Sequence, residues 1–428
     1  MTEDPEVTDQ AVVEDDPRDE RTFYRGRVLR TIRAFFRDNS ALAAMFAVVF
    51  VNLVGFGIVV PLIPFFAQSL DAQAWQVTLM FTAYSLGQFF AEPFCGRLSD
   101  RIGRKPILIV TTALSTLFYI CLAFSPNIWI ALVFRFFGGL SSGNISTIQG
   151  YVADVSRPEQ RSGRMSMIGA AFSLGFIMGP FIGGMVPHHT AVDVYRLPLL
   201  VAAGMSAVTA IGVLLYVRES RQRAHVGQAG PPMRLWETAE AAIRNPVIVR
   251  VLLTTLCYMG AFAGLEATFG LWAEARYHWG PRQIGNVFPF IGIAAAIMQI
   301  VLMRPLVRRF GEFKVLAGGL FILGLSFVLQ CVNSQMILIV PLVMFGAVGQ
   351  AVIFSSICAI ISMSTDPNRQ GAMLGFNMST GAIARITGPV FAGFFFSALG
   401  PNAPLWMGAA MTIPAALLAL QAGKVRKT

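Results

Sequence analysis

Apolar runs of about twenty residues or more alternate along this chain with short polar segments. A helix rises about 1.5 Å per residue, so runs of that length can cross the hydrocarbon core of a bilayer. Twelve such runs are legible. The first six lie near 41–66, 75–95, 106–125, 127–153, 163–187 and 197–217, the second six near 247–273, 284–303, 314–332, 335–362, 371–398 and 403–422. The pattern predicts an all-α polytopic membrane protein of twelve transmembrane helices in two pseudo-symmetric six-helix halves. A polar tail (1–38) precedes the first half (39–217), a polar loop (218–245) separates it from the second (246–422), and 423–428 close the chain.

Composition supports this reading. Of 428 residues 55% are hydrophobic and 13% charged, about half the charged share of a soluble domain. The net charge of +10 sits in short clusters between apolar runs, without a basic stripe interleaved with aromatics, so a nucleic-acid partner is not expected. The five cysteines fall inside apolar runs without paired spacing, which argues against disulfides and against a metal site. No cofactor is expected. Catalysis by a membrane enzyme, or a receptor role, would need clustered polar residues within the spans or an added soluble domain, and neither pattern is present.

Basic residues set the orientation. With the N-terminus inside, the inner loops hold Arg97, Arg101, Arg104 and Lys105, then Arg157, Arg161 and Arg164. Arg218, Arg244, Arg304, Arg308, Arg309, Lys314 and Arg369 follow, against Arg196, Arg276 and Arg282 outside. Positive charge is retained on the cytoplasmic side, so both termini are expected there, in the inner (plasma) membrane. Residues 21–37 carry enough arginine to lie as an amphipathic helix on the anionic leaflet, or simply to anchor the topology.

The halves repeat at a shift of about 208 residues. "GRLSDRIGRKPIL" (96–108) lies over "RPLVRRFGEFKVL" (304–316), and "GPFIGG" (179–184) over "GPVFAG" (388–393). Two such halves around an axis along the membrane normal form a transporter arrangement with a site between them. The first stretch, "GFGIVVPLIP" (55–64) and "SLGFIMGPFIGG" (173–184) resemble motifs of the major facilitator superfamily, and within it those of the twelve-span drug/proton antiporters that include tetracycline exporters. Arg135 and Gly139 loosely resemble that family's fourth-span motif. The resemblance implies proton-coupled efflux of small amphipathic compounds by alternating access, driven by the proton gradient. The expected partners are substrate, protons and lipid, with the protein a monomer. A metabolite or sugar exporter or uniporter of the same fold is the alternative.

Residue chemistry then singles out candidates. Gly96 and Gly103 permit a tight turn, and Arg101, Arg104 and Lys105 fix its side. Asp100 can pair locally or face a helix N-terminus. The resemblance implies that this is the start of the eleventh span, a conformational latch present in one access state. Asp154 is placed to pair with Arg101 or Arg104. Arg308 stands where Asp100 does in the second copy, so the latch is expected on one side of the repeat. Gly175, Gly179, Pro180, Gly183 and Gly184, with Gly388 and Pro389, form small-residue faces suited to close packing and a rocking hinge between halves.

Charge inside a span is costly unless it is paired or functional. Glu266 is the first candidate for proton coupling or for binding a cationic compound, with a structural hydrogen bond as the bland reading. Glu92 can titrate from the inner side, or pair with Arg97 or with a partner in span eleven. Arg135 can tune an acid, although its own half offers none at mid-membrane. Arg385 can hold interdomain carbonyls or Glu92. Asn52, Phe56, Asn144, Phe262, Gln299 and Gln350 are the candidate lining of the substrate cavity.

Overall fold

The computed structural model describes residues 40–156, 158–186, 195–220, 235–366 and 369–425. The tail 1–38, most of the central loop (221–234) and residues 426–428 lie outside the described residues, as does the expected surface helix at 21–37. The described residues form helices and no strand.

In the first set α1 (Ser40–Val59) runs through a 3₁₀ turn at Pro61 into α2 (Ile63–Gln68). Next come α3 (Ala74–Ile102), α4 (Arg104–Ala123), α5 (Ile128–Ser141), α6 (Ile145–Asp154), α7 (Pro158–Met185) and α8 (Arg196–Tyr216). A short α9 (Leu235–Arg244) leads into the second set. That set holds α10 (Pro246–Tyr277), α11 (Pro281–Ile297), α12 (Met303–Phe310), α13 (Glu312–Val332), α14 (Ile339–Met363), α15 (Gln370–Leu399) and α16 (Ala403–Val425).

Local chemistry places the boundaries. Gly103 ends α3 at φ +109°, Gly311 ends α12 at φ +78°, and Gly400 follows α15 at φ +94°. Such angles strain any residue with a Cβ. Asn127 caps α5 by accepting from Ile130 N, and Asn245 caps α10 by accepting from Val247 N and Ile248 N. The fourth apolar run, expected as one helix, breaks between Ser141 and Ile145, where the Ser142 hydroxyl bonds the Gly139 carbonyl. The eighth run carries a π segment at Met298–Leu302, held where Gln299 donates to Ala351 O and Ser355 Oγ, both at 2.7 Å.

Among the described residues ten helical stretches are long and apolar enough to cross a membrane. The helix α3 is too polar to join them, and the described apolar part of α7 is the short Leu174–Met185. Packing repeats between the sets. The contacts of α1 with α7 and α8 recur as those of α10 with α15 and α16, and α4 against α8 recurs as α13 against α16. The sets join through α3 with α15 and α7 with α11.

The seam is tightest at the end away from the arginine-rich turns. There Gln68 Nε2 donates to Glu274 Oε2 at 2.7 Å, and Pro64 packs on Gly270. An apolar cluster of the first set takes in Ala267 and Leu271 of α10. Thr82 donates to the Ile386 carbonyl at 3.1 Å. At the arginine-rich end the α15 glycines 371 and 375 face open space.

Candidate functional site

Close helix approach at glycine builds the centre. Gly139 of α5 lies against the Tyr84 carbonyl of α3, and Gly87 of α3 against Phe136 of α5, with no room for a Cβ at either. This contact brings the Arg135 guanidinium over the Tyr84 ring, 4.4 Å from its centroid. Tyr84 in turn packs on Phe56 of α1, ring centroids 5.3 Å apart. On the second set Gly388 of α15 meets the Gly260 backbone of α10, again too close for a side chain, which sets Arg385 and Glu266 on neighbouring helices.

Four charges converge here. Glu266 is half-buried and lies within electrostatic reach of both Arg385 and Arg135; Arg385 also reaches Glu92 and Tyr84. Arg135, 2% exposed, feels the charge of an acid of the opposite set, where its own half offered none. Glu92 bonds Gln88 and faces Arg385, while Arg97 instead donates to the Pro93 carbonyl. Glu266 therefore feels the charge of cations from both sides of the seam.

Beside this centre lies a small cavity of about 30 Å³, room for water, within the first set. Asn52 and Phe56 line it, together with Tyr84, Phe118, Tyr119 and Arg135. The remaining cavity candidates sit elsewhere. Asn144 is buried at the α5–α6 break, and Phe262 stacks on Tyr258 at 6.4 Å. Gln299 holds the π segment, and Gln350 bonds Tyr258. Sequence reasoning singled out these residues but not which helix face each occupies.

At the α3–α4 turn Arg104, 7% exposed, is the hub. Its guanidinium bonds Asp100 at 2.8 Å, Asp154 at 3.0 Å and Ser99 Oγ at 2.7 Å, and it packs over Gly150. Of the two arginines considered for Asp154, Arg104 is thus the partner; Arg101 is exposed. The Lys105 ammonium donates to Leu214 O at 2.8 Å, and Gly96 leaves room for Ser146.

Glu219, just after α8, was not singled out by the sequence. Its carboxylate accepts the backbone N–H of Arg104 at 2.9 Å and of Lys105 at 3.1 Å, capping α4. A Cβ at Gly103 would crowd this carboxylate. A glutamate that caps a helix more than a hundred residues away leaves no local signal.

The glycine–proline segments divide their work. Gly175 and Gly179 pack on Leu53, Val54 and Gly57 of α1, and Gly183 on Ile58, within the first set. Gly184 and the Pro180 carbonyl meet Gly285 of α11 across the seam. In α15 Gly388 likewise packs within its set, beside Pro389, while Gly393 abuts Thr78 of α3 across it. The hinge face expected along the whole motif is thus confined at the seam to its last glycine and Pro180.

Profiles of the Major Facilitator Superfamily match residues 45–313 and 275–427, together nearly the whole chain after the tail. The chain belongs to this superfamily. Among curated relatives, the class C tetracycline resistance protein of Escherichia coli is 27% identical over 388 residues, 89% of this chain and 95% of its own length. Multidrug resistance protein 2 of Bacillus subtilis (strain 168) is 24% identical, covering 81% and 86%. The crystal structure of a bacterial homolog of the human lysosomal transporter Spinster, inward-facing and occupied, superposes with a TM-score of 0.77 at 12% identity, over 91% of this chain and 97% of that one. The chain is a multi-pass membrane protein with superfamily transporters as relatives, and curated efflux proteins are among them.

Proposed function

We propose that this superfamily member is a proton-coupled exporter of small amphipathic compounds, working by alternating access as a monomer in the inner membrane. Its twelve spans form two six-helix halves, with both termini cytoplasmic. The drug-efflux relatives support the substrate class, and the recurring helix pairings support the two halves. The positive-inside asymmetry supports the orientation.

One observation carries the reading: Glu266, half-buried within a span, feels the charge of Arg385 in its own half and of Arg135 in the other. A proton on Glu266 removes the shared anion and weakens the hold between halves at this level. Alternating access needs such a dependence, since a bound ion shifts a conformational equilibrium only through differential affinity. The conformer is closed at the Gln68–Glu274 end, while Asp100 is bound to Arg104. In the opposite state Asp100 would turn to the N-terminus of α15 and latch the cytoplasmic end. No resident cofactor is required, because the gradient supplies the energy.

The test is Glu266→Gln in everted membrane vesicles loaded with a fluorescent amphipathic drug. We expect loss of transport driven by an imposed pH gradient, with normal insertion and unchanged thermal unfolding. Wild-type rates in that variant would refute the coupling role.

A further inference from the structure

The exposed apolar residues of α11 and the π segment lead directly into arginine. Phe290, Ile293, Ile297, Ile300 and Val301 are exposed, Ile300 at 80% and Val301 at 60%, and on a membrane helix such side chains face lipid tails. Arg304, Arg308 and Arg309 follow on α12, all exposed. Eight residues separate Ile300 from Arg308, roughly 12 Å of helix rise, enough to pass from the tails into the headgroups. Among the described residues these three guanidinium groups have no hydrogen-bonded or ion-paired partner; Arg309 lies over the Phe310 ring, 5.4 Å from its centroid. Other basic side chains at this end are engaged by protein: Arg104 by Asp100 and Asp154, Lys105 by the Leu214 carbonyl, Arg244 by Glu240. The acid next to the cluster, Glu312, is half-buried, and its Oε2 is shielded from solvent. In the first copy of the repeat Asp100 stands in the place of Arg308 and would repel an anion.

We propose that the exposed face of α12 is a binding site for an anionic phospholipid of the leaflet at the arginine-rich end. Its phosphate lies between Arg304 and Arg308, and its tails run along Ile297, Ile300 and Val301. The two arginines are one helical turn apart, about 5–6 Å between Cβ atoms, so one phosphate can accept from both. A guanidinium offers five donors in a fixed fork that phosphate oxygens match. Charge complementarity selects the occupant. A zwitterionic headgroup brings its own cation towards the arginines, while phosphatidylglycerol brings none. The α12–α13 turn is thereby tethered to lipid, where its counterpart α3–α4 is tethered to protein acids. This holds whatever the protein transports.

The experiment is native mass spectrometry of the purified full chain in detergent, titrated with dioleoyl phosphatidylglycerol, dioleoyl phosphatidylcholine and inorganic phosphate. The first phosphatidylglycerol should bind roughly tenfold or more tighter than phosphatidylcholine, the scale expected of two arginines at a headgroup. Arg304→Gln combined with Arg308→Gln should erase that preference, as should Arg308→Asp alone, while thermal unfolding in lipid-free detergent stays at the wild-type midpoint. Arg97→Gln combined with Arg101→Gln removes the same charge from exposed positions of the first turn and should leave the preference in place. Equal losses in the two double variants would overturn the proposal in favour of a diffuse positive field. Equal binding of the two lipids by the wild type would overturn it as well. Displacement of phosphatidylglycerol by millimolar inorganic phosphate would overturn the lipid as the occupant.

Discussion

The two turns that the repeat relates, α3–α4 and α12–α13, share a glycine at positive φ and little else. After Gly103 the helix begins Arg104-Lys105, two cations at the positive end of a helix dipole, where they are unfavourable. After Gly311 the helix begins with Glu312, an acid at the end that favours one. The second turn therefore carries its own compensation, and the space beside Gly311 is open. The first borrows its compensation: Glu219 from beyond α8, Asp154 from α6, and Asp100 from the preceding turn. A borrowed cap can be released when helices move, and a built-in one cannot. That difference makes the first turn the one suited to act as a switch.

Three substitutions probe the contrast. Arg104→Ala should have the largest effect, because it strips Asp100, Asp154 and Ser99 of a shared partner that is itself buried. A loss of about 2 kcal/mol is expected, below the 3–5 of a fully buried pair since both acids are partly solvated. Arg308→Ala, in the open turn, should change stability by less than about 0.5 kcal/mol. Thermal unfolding in detergent compares them, and equal losses would erase the distinction. Next, Glu219→Ala should cost about 1 kcal/mol as a lost helix cap. Glu312→Ala should cost a few tenths at most, through the dipole alone. Smallest in stability is Asp100→Asn, since that side chain is half exposed and Arg104 keeps Asp154. Its expected signature is conformational: cysteine labelling from the two membrane sides should shift away from the outward-open state. An unchanged labelling ratio would leave the loop a topological marker.

The sequence carried most of the architecture and part of the site. Hydropathy located each apolar run, and Gly103 marked a helix end through its own backbone freedom. The pairing of Asp154 with an arginine of the crowded turn was legible because Asp154 lies at the inner end of the fourth apolar run, on the side of that turn. The break in the fourth run was missed, because Ser142 and Asn144 sit inside an otherwise apolar stretch. Four of the six cavity candidates make contacts that hydropathy alone does not record. Gln299 and Gln350 are polar residues in spans, but their bonds go to neighbouring helices of their own half.

What the chain determined by itself is set by short-range rules: burial of twenty apolar residues in lipid, retention of cations on one side, and glycine where φ is positive. What only the tertiary structure decided is which distant charge meets which. Glu219 finds the start of α4, Gln68 finds Glu274, and Arg135 comes within the field of Glu266 across the seam. Each pairing depends on helix rotation and on glycine contacts that let two backbones touch, and a one-dimensional pattern of hydropathy records neither.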